Sequence, residues 1–437
     1  MLRGGAGGGA RPGGGAGRAA VGAAKVDITP ADLTTLVPTG GTGPYGGGLD
    51  FDSVHDPLFG RVLVLESGGA SVAIVSLDII EVQDTSALRE RIQRELGIAA
   101  DHVMVAATHN HSAPRLAGGS PQLDAYRQAT NDKIVAALKT AKAALQPARM
   151  GYGLGAADVS INSDAYIPPR GWVNGYNPDG RSDKTVKVMK FETLTGEPIA
   201  VLFNYAVHSI VTFNTMAISG DLAGVAEHVV ERHYGDKAVA LFTLSSAGDQ
   251  NPKFSGYTLV PGGAAGSKDR AAALRTEAYP AMEAQGYMLG TEVIRVAGLI
   301  QARTTALRLG AAQSLINCPA KDLPKWAAFK ETGVPIPLQV LLVDQIAFAG
   351  IGGEVVTSIY DHLRKDSPLA NTVMVSLDNG RMGYLVDDAV YDTPNFHVNA
   401  SPAVRGCAES GIVNGLVALI QAAAAPPPAP APGKTRR

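Results

Sequence analysis

The sequence predicts a mixed α/β fold, with helices packed on a mixed, largely buried β-sheet core in a single large domain. Short apolar runs, such as 72–78 and 238–244, alternate with longer segments of helical periodicity. Other neighbouring apolar runs are joined by short turns, which is typical of hairpins. Because hairpins are antiparallel and strand–helix alternation favours parallel pairing, we expect both kinds of pairing in the core.

The apolar periodicity predicts the individual elements. Leu88, Ile92 and Leu96 recur at helical spacing and Gly97 follows them as a stop signal. The predicted elements are a strand at 21–30, a hairpin of 61–65 and 72–78, a helix at 84–97, a strand at 103–106, a helix at 131–145, strands at 185–191 and 199–205, a helix at 222–233, a strand at 238–244, a helix at 280–300, a hairpin of 340–343 and 346–349, a helix after Glu354 and a strand at 372–377.

Two glycine-containing segments interrupt this pattern. Residues 40–48 are glycine-rich but lack a following GK[ST], so a loop near a site is favoured over a phosphate-binding loop. Residues 150–185 are rich in Gly, Pro, Asn and aromatic residues, and we interpret them as a long irregular loop. Because long loops in compact domains are usually functional, this one is expected to form a wall of the site.

Composition narrows the functional class. The 437 residues are 46% hydrophobic and 18% charged, which is typical of a globular chain, and the formal net charge is −2. This balance gives no support for nucleic acid as a partner or for attraction to an anionic membrane. No apolar run approaches the roughly 18 residues needed to span a bilayer, so no transmembrane segment is predicted. Neither the oligomeric state nor the compartment is predicted.

The two ends of the chain differ in composition from the rest. Residues 1–20 are rich in Gly, Ala, Arg and Pro and contain no recognisable signal peptide, and 421–437 are rich in Ala and Pro. We expect both to be disordered tails around a folded domain at 21–420. Cys318 and Cys407 are too few for a disulfide framework, but one structural disulfide is compatible with the sequence.

A pair of histidines follows the predicted buried strand at 103–106. His109 and His111 are one residue apart and share a face if the chain stays extended. Neutral imidazole is a common metal ligand and the usual acid or base near neutral pH. The alternative is two loop histidines with no joint role.

The same arrangement recurs at other predicted strand ends. His208, Glu354 and Tyr384 each follow a buried strand in a loop of polar or small residues. Open α/β sheets place their sites outside the carboxyl ends of strands, so these loops are expected to converge. Two histidines, a carboxylate and a phenolate would suit Zn²⁺ with a position left for water. Alternatively, Glu354 is a helix N-terminal carboxylate and Tyr384 a half-buried core residue; spacing alone does not distinguish Tyr384 from the other tyrosines.

At these positions the chain resembles the neutral/alkaline non-lysosomal ceramidase family, specifically its amino-terminal catalytic domain. The resemblance extends over about 25–400. The collinear motifs are DITP at 27–30, HDPL at 55–58, THNHSAP at 108–114, NYAVH at 204–208, SGD at 219–221, AGD at 247–249, GE at 353–354 and the loop ending at Tyr384.

The resemblance implies a catalytic zinc held by His109, His208, Glu354 and Tyr384, with His111 beside it as a catalytic partner. Members of the family use metal-activated water to release a fatty acid from sphingosine, and many are secreted or periplasmic. Zinc lowers the pKa of bound water, and an imidazole can carry a proton to the leaving amine. Asp249 is interpreted either as a group that orients His208 or water, or as an Asx turn without function.

Three positions depart from the family pattern. Ser163 replaces an arginine that contacts the substrate carbonyl, Asn251 replaces a serine, and Phe396, followed by His397, replaces a tyrosine. Arg170 lies in the same segment as Ser163 and is a candidate to replace the lost arginine. The predicted metal ligands match the family, whereas the groups that face the substrate differ from it. This combination favours a substrate other than ceramide or, alternatively, a site without catalytic activity.

The sequence therefore predicts a zinc-dependent, ceramidase-like hydrolase of amide bonds, acting on a small-molecule or lipid-like N-acyl amide. The alternatives are a zinc-dependent esterase or lactonase on the same scaffold and a catalytically silent metal-binding protein. A serine hydrolase is disfavoured because no GxSxG elbow is present.

Overall fold

A computed structural model describes residues 17–33, 51–114, 116, 121–255 and 268–425 of the chain. The predicted loop at 40–48 and most of both predicted tails lie outside these residues. No helix in the described parts of the chain is long and apolar enough to cross a membrane.

The described residues form strands and helices along their whole length. The strands are β1 (Ala20–Asp27), β2 (Ser53–Val54), β3 (Phe59–Ser67), β4 (Ala70–Leu77), β5 (Val103–Ala107), β6 (Gln146–Ala156), β7 (Ser160–Ile167), β8 (Gly171–Asn177), β9 (Thr185–Thr193), β10 (Pro198–Tyr205), β11 (Ala217–Ile218), β12 (Val239–Leu244), β13 (Gln250–Pro252), β14 (Leu309–Cys318), β15 (Val334–Val343), β16 (Ile346–Ile351), β17 (Glu354–Val355), β18 (Asn371–Ser376) and β19 (Tyr384–Leu385). The α-helices are α1 (Ser86–Leu96), α2 (Pro121–Ala143), α3 (Asp221–His233), α4 (Lys268–Leu299), α5 (Thr357–Asp366), α6 (Phe396–Ala400) and α7 (Ala408–Ala423).

Two sheets form the centre of the molecule. One has eight strands in the order β12-β10-β9-β6-β1-β3-β4-β5, and the other has four in the order β14-β15-β16-β18. Each contains antiparallel and parallel pairs: β3 with β4 and β15 with β16 are antiparallel, whereas β4 with β5 and β16 with β18 are parallel. The predicted mixed α/β class is confirmed.

Alternation of apolar side chains explains why both sheets are covered on both faces. In β3, Leu63 and Leu65 pack into a core shared with β16 and β18 of the second sheet, whereas Val62 and Val64 face α2 and α3. In β15, Leu341 joins the shared core while its neighbours pack toward α5 and α7. The layers are therefore helices, eight-stranded sheet, four-stranded sheet and helices.

The prediction of an irregular loop over 150–185 is wrong, because most of this segment lies in strands β6, β7 and β8. The glycines that suggested a loop stand at alternate positions of β6, on the face that meets α4. A Cβ at Gly151 or Gly153 would collide with Ile300, and one at Gly155 with Glu292. Glycine is required here for close packing of a strand on a helix.

The topology brings distant loops to one edge of the two sheets. The parallel pairs β4–β5, β10–β12 and β16–β18 end in loops that carry polar residues. The loop after β5 pairs with the loop after β10 through an Asn110–Ser209 bridge, and β17 pairs in parallel with β19. A disulfide between Cys318 and Cys407 joins the end of β14 to the start of α7.

Candidate metal centre

His109 follows β5 and is held with its Nε2 atom directed into the site. Its side chain is buried, and its Nδ1 donates a hydrogen bond to the Ile80 carbonyl at 2.8 Å. Because Nδ1 carries the proton, Nε2 is the nitrogen that remains for a ligand. The residue has a φ of 61°, in the left-handed region that non-glycine residues rarely adopt, and such strained positions cluster at functional sites.

His208 follows β10 and is oriented in the same way. Its Nδ1 donates to the Gln250 carbonyl at 3.1 Å, and its side chain is also buried. The His111 amide donates to the Ser209 carbonyl at 3.0 Å, which joins the two histidine loops. The imidazole rings of His109 and His208 lie 4.3 Å apart, so the Nε2 atoms of both residues are directed at one place.

Glu354 and Tyr384 come from a separate two-stranded sheet, in which they are direct partners in the β17–β19 pair. The Glu354 Oε2 atom lies 3.1 Å from His109 Nε2 and 3.4 Å from His208 Nε2. The Tyr384 hydroxyl lies 3.4 Å from His208 Nε2. The structure thus brings together the four residues that the sequence predicted as zinc ligands.

These separations fit one coordinated cation. Zinc binds nitrogen and oxygen ligands at about 2.0–2.1 Å in a tetrahedron, which places neighbouring donor atoms roughly 3.3–3.4 Å apart. The donor separations of 3.1–3.4 Å among His109, His208, Glu354 and Tyr384 agree with that spacing. Nitrogen atoms of His109, His111 and His208 also lie within 4.8 Å of one another, an arrangement that could hold a metal ion.

The protonation states of His109, His208 and Glu354 depend strongly on one another. Burial disfavours the charged form of His109, but the Glu354 carboxylate outweighs it and raises the pKa of His109. Burial and the adjacent His109 lower the pKa of His208. Burial also opposes ionisation of Glu354, yet the two histidines hold the pKa of Glu354 well below its usual range. The Glu354 carboxylate therefore stays charged, which favours a cation beside it.

His111 lies beside the centre with its side chain partly exposed. Its ring stands edge-on to that of His109 at 4.8 Å and 5.9 Å from that of His208, and Phe213 packs against it at 5.5 Å. It is therefore close enough to act next to a ligand bound by the other two histidines.

Asp249 supports the centre through the backbone of the following helix. Its Oδ1 accepts hydrogen bonds from the amide and hydroxyl of Thr357, both at 2.8 Å, at the start of α5. Its Oδ2 accepts from Asn162 Nδ2 at 3.0 Å, and burial raises the pKa of Asp249. The carboxyl group thus anchors the chain just after Glu354 to β7.

Arg170 is not brought to the other predicted residues. It is exposed in the turn between β7 and β8 and directly precedes Gly171, the cross-strand partner of Ile167. It therefore lies about four residue steps beyond Asp164 along the hairpin, or roughly 13 Å at about 3.3 Å per residue.

The structure adds a hydrogen-bonded chain that the sequence did not predict. The His397 Nδ1 atom donates to Asp164 Oδ1 at 2.7 Å, and its Nε2 lies 3.3 Å from the Ser163 hydroxyl. The His397 ring stands edge-on to Tyr384 at 5.1 Å. One signal in the sequence could have indicated this pair. Asp164 directly follows Ser163 and His397 directly follows Phe396, and both Ser163 and Phe396 depart from the family pattern.

A cavity of about 590 Å³ lies beside these hydrogen-bonded residues. Its wall includes Trp172 and Tyr176 of β8, Asn251 of β13 and Phe396 of α6. Phe396 contacts the Tyr384 ring at 5.5 Å, and Asn251 follows Gln250, whose carbonyl holds His208. Two of the three departures therefore line a cavity next to the centre, and the Asn251 side chain donates to Asn174 at 2.8 Å.

The fold and the site together define a layered α/β protein with a histidine-rich candidate metal centre at its strand ends. A family model described as "Neutral/alkaline non-lysosomal ceramidase, N-terminal" matches residues 20–268. The chain belongs to this family. Glu354 and Tyr384 lie outside the matched residues.

Curated relatives agree with the family. The chain is 29% identical over 275 residues to neutral ceramidase A of Dictyostelium discoideum, which covers 55% of this chain and 37% of the relative. It is 33% identical over 236 residues to the neutral ceramidase of Pseudomonas aeruginosa, covering 48% of this chain and 33% of the relative. The matches thus span about a third of the length of each relative.

Solved structures extend the likeness in fold to nearly the whole chain. The crystal structure of neutral ceramidase from Pseudomonas aeruginosa superimposes with a TM-score of 0.72 and 19% identity, covering 95% of this chain and 76% of that one. A structure titled "Ceramidase complexed with C2" gives a TM-score of 0.70 and 17% identity, with coverage of 93% and 75%. The likeness in fold thus extends well beyond the residues that the family model matches.

Proposed function

We propose that this protein is a zinc-dependent hydrolase of amide bonds whose substrate is a small-molecule or lipid-like N-acyl amide. The observation that carries the proposal is the convergence of His109, His208, Glu354 and Tyr384 with donor separations of 3.1–3.4 Å. Membership of the ceramidase family and the shared fold support amide hydrolysis in particular.

The four residues would hold the zinc. When bound, zinc would lower the pKa of a water molecule and polarise the carbonyl group of the substrate. In the overall reaction, water oxygen bonds to the carbonyl carbon, the C–N bond breaks, and the amine leaves with a proton. His111, partly exposed beside the rings of His109 and His208, is placed to deliver that proton. Asp249 keeps the Glu354 segment in position through its bonds to Thr357.

The cavity supports a substrate with an apolar portion. Trp172, Tyr176 and Phe396 supply aromatic surface, while Asn174 and Asn251 supply polar groups. Ceramide is the first amide to test, because the relatives are named neutral ceramidases. Since Ser163, Asn251 and Phe396 depart from the family pattern on this side, we favour a different amide as the preferred substrate.

The test combines metal analysis with a substrate panel. Purified full-length protein is analysed for bound metals, then assayed on ceramide, on N-acyl amides of varied head group, and on esters and lactones. We expect about one zinc per chain and amide hydrolysis that a chelator abolishes and zinc restores. His109→Ala should remove both zinc and activity, whereas His233→Ala, an exposed histidine at the end of α3, should remove neither.

Three results would decide against the proposal. Preferential hydrolysis of esters or lactones would identify the same scaffold as an esterase. Zinc that raises the melting temperature without turnover of any substrate would identify a silent metal-binding protein. Activity that survives both chelation and His109→Ala would exclude the metal centre from the reaction.

A further inference from the structure

We propose that the exposed aromatic tip of the β7–β8 hairpin docks onto the surface of a lipid bilayer and thereby presents the cavity to amides held in that bilayer. The inference rests on the proposed function for the nature of the substrate, but the docking itself is a separate property. It begins from an unusual concentration of exposed apolar side chains.

The exposed side chains are clustered. Among the described residues, thirteen large apolar side chains are exposed, and four of them lie within residues 166–176. Tyr166 is 61% exposed, Ile167 43%, Trp172 37% and Tyr176 47%. Scattered exposed apolar residues need no explanation, whereas a cluster on one element marks an interaction surface.

The strand register places the aromatic residues on one face. Tyr166 and Trp172 are direct cross-strand partners, and their rings contact edge-on at 5.5 Å. Trp172 and Tyr176 are four residues apart on β8, so they project to the same side. β8 is the outer strand of the three-stranded sheet β13-β7-β8.

This face leads into the cavity. Trp172 and Tyr176 line it, and its inner wall includes Phe396, which contacts Tyr384 of the candidate metal centre. A protein partner seated on the hairpin would cover the cavity. A lipid surface seated there would instead supply an amphipathic amide, which is why a bilayer is the favoured occupant.

The chemistry of the tip suits the polar boundary of a bilayer. Tyrosine and tryptophan are enriched at that boundary because each combines an apolar ring with a polar atom. Pro168 and Pro169 form the turn with exposed side chains and have no amide hydrogen that needs a partner there. Arg170 is the only charged residue between Asp164 and Asp179, and its cation complements lipid phosphate.

The chain offers a built-in reporter for a test of docking. Its two tryptophans are Trp172 and Trp326, so Trp326→Phe leaves Trp172 as the sole tryptophan. This full-length variant is mixed with phosphatidylcholine vesicles that contain some phosphatidylserine and no amide substrate. We expect co-sedimentation with the vesicles and a shift of Trp172 emission to shorter wavelength.

A second variant, Tyr166→Ser with Ile167→Ser, removes apolar surface from the tip at two residues that do not themselves line the cavity. In the same background it should weaken vesicle binding by about tenfold or more, as expected when two apolar side chains no longer become buried. Hydrolysis of a monodisperse, short-chain amide should be unchanged. The matched control, Tyr287→Ser with Leu299→Ser, removes two exposed residues of α4 and should leave vesicle binding unchanged.

Two outcomes would overturn docking: no vesicle association by the Trp326→Phe protein, or vesicle binding that the tip variant does not weaken. An emission shift that depends on protein concentration without vesicles would identify a second copy of the chain as the occupant, and would also overturn it. Vesicle binding without turnover of any amide would leave docking standing and remove the proposed hydrolase. Turnover of soluble amide without vesicle binding would overturn docking and leave the proposed hydrolase standing.

Discussion

The candidate metal centre and the neighbouring cavity wall are built in different ways. At the centre, His109 and His208 are buried, and backbone carbonyls fix their Nδ1 atoms at 2.8 and 3.1 Å. In the wall, β8 is an outer strand, and side-chain pairs such as Asn174–Asn251 join the elements. The two histidines of the centre are thus oriented by main-chain carbonyls, whereas Asn174 and Asn251 of the wall are joined through their side chains.

This difference bears on the three positions at which the sequence is expected to depart from the family pattern. Ser163, Asn251 and Phe396 all lie on the side of the wall, whereas the four predicted donor residues lie at the centre. Substitutions among the wall side chains alter what fits the cavity and leave the donors in place. Substitutions at the donors would change the number or charge of the atoms that face a cation.

The largest effect is expected from Glu354→Gln, which keeps the shape of the side chain and removes its charge. The Glu354 carboxylate faces both histidines, so we expect zinc affinity to fall sharply and kcat/KM to fall on the order of a thousandfold. Zinc content and steady-state kinetics measure the two effects.

Glu409→Gln is the matched control, because Glu409 also accepts from a histidine, His362 Nδ1, at 2.8 Å. It should retain zinc and activity. If Glu354→Gln keeps full zinc occupancy and activity, Glu354 is not a ligand of the zinc, and only the histidine and tyrosine residues remain as donors.

The next prediction concerns how the stability of the folded protein depends on pH through the carboxyl group of Asp378. Asp378 follows β18, its amide donates to the Ile351 carbonyl at 3.0 Å, and burial raises the pKa of its carboxyl group to about 8. Between about pH 4 and 8 the folded protein therefore holds a proton that the unfolded chain releases, so stability falls as pH rises through this range. Below about pH 4 both states are protonated and the penalty is absent.

Asp378→Asn should remove this dependence and stabilise the protein at pH 8 by on the order of 3 kcal/mol, less than the full shift in pKa would give because real interiors relax around charge. Denaturant unfolding of both proteins at pH 5 and pH 8 measures it. Asp322→Asn, at an exposed position, is the control. Equal pH dependence in the wild type and Asp378→Asn would show that this carboxyl group is not responsible.

The sequence predicted the strands of the central sheets well, because strands buried on both faces are continuous apolar runs. The hairpin expected at 61–65 and 72–78 corresponds to β3 and β4. The prediction was wrong at 150–185, where the glycines of β6 make room for α4 and the aromatic residues of the exposed hairpin lack a buried face. Local composition cannot distinguish glycine that packs a helix from glycine in a loop.

The donor residues were predictable to different degrees. His109 and His208 stand directly after apolar strands, so strand ends alone indicated them. Tyr384 was selected by resemblance, and its pairing with Glu354 depends on the register of β17 and β19. The Asp164–His397 pair spans 233 positions and depends on how α6 packs against the hairpin, which no local pattern reveals.

That pair provides the smallest predicted effect, because it acts on the centre through Tyr384. His397 is fixed by Asp164 and packs edge-on against the Tyr384 ring at 5.1 Å. We expect His397→Ala to lower kcat by about 10- to 100-fold, the range typical of groups that orient a metal ligand. The absorption spectrum of the cobalt-substituted protein should also change, because the phenol would be less well held.

Two controls separate positioning from general loss of packing. His55→Ala removes another histidine–tyrosine ring contact, since His55 stacks on Tyr279 at 3.7 Å outside the candidate centre, and it should leave the cobalt spectrum unchanged. Ser163→Ala removes only the 3.3 Å contact to His397 and should cost less than His397→Ala, because the stronger bond to Asp164 remains. If His397→Ala leaves both the spectrum and kcat unaltered, the wall and the centre are independent, and Tyr384 is held by the β17–β19 pairing alone.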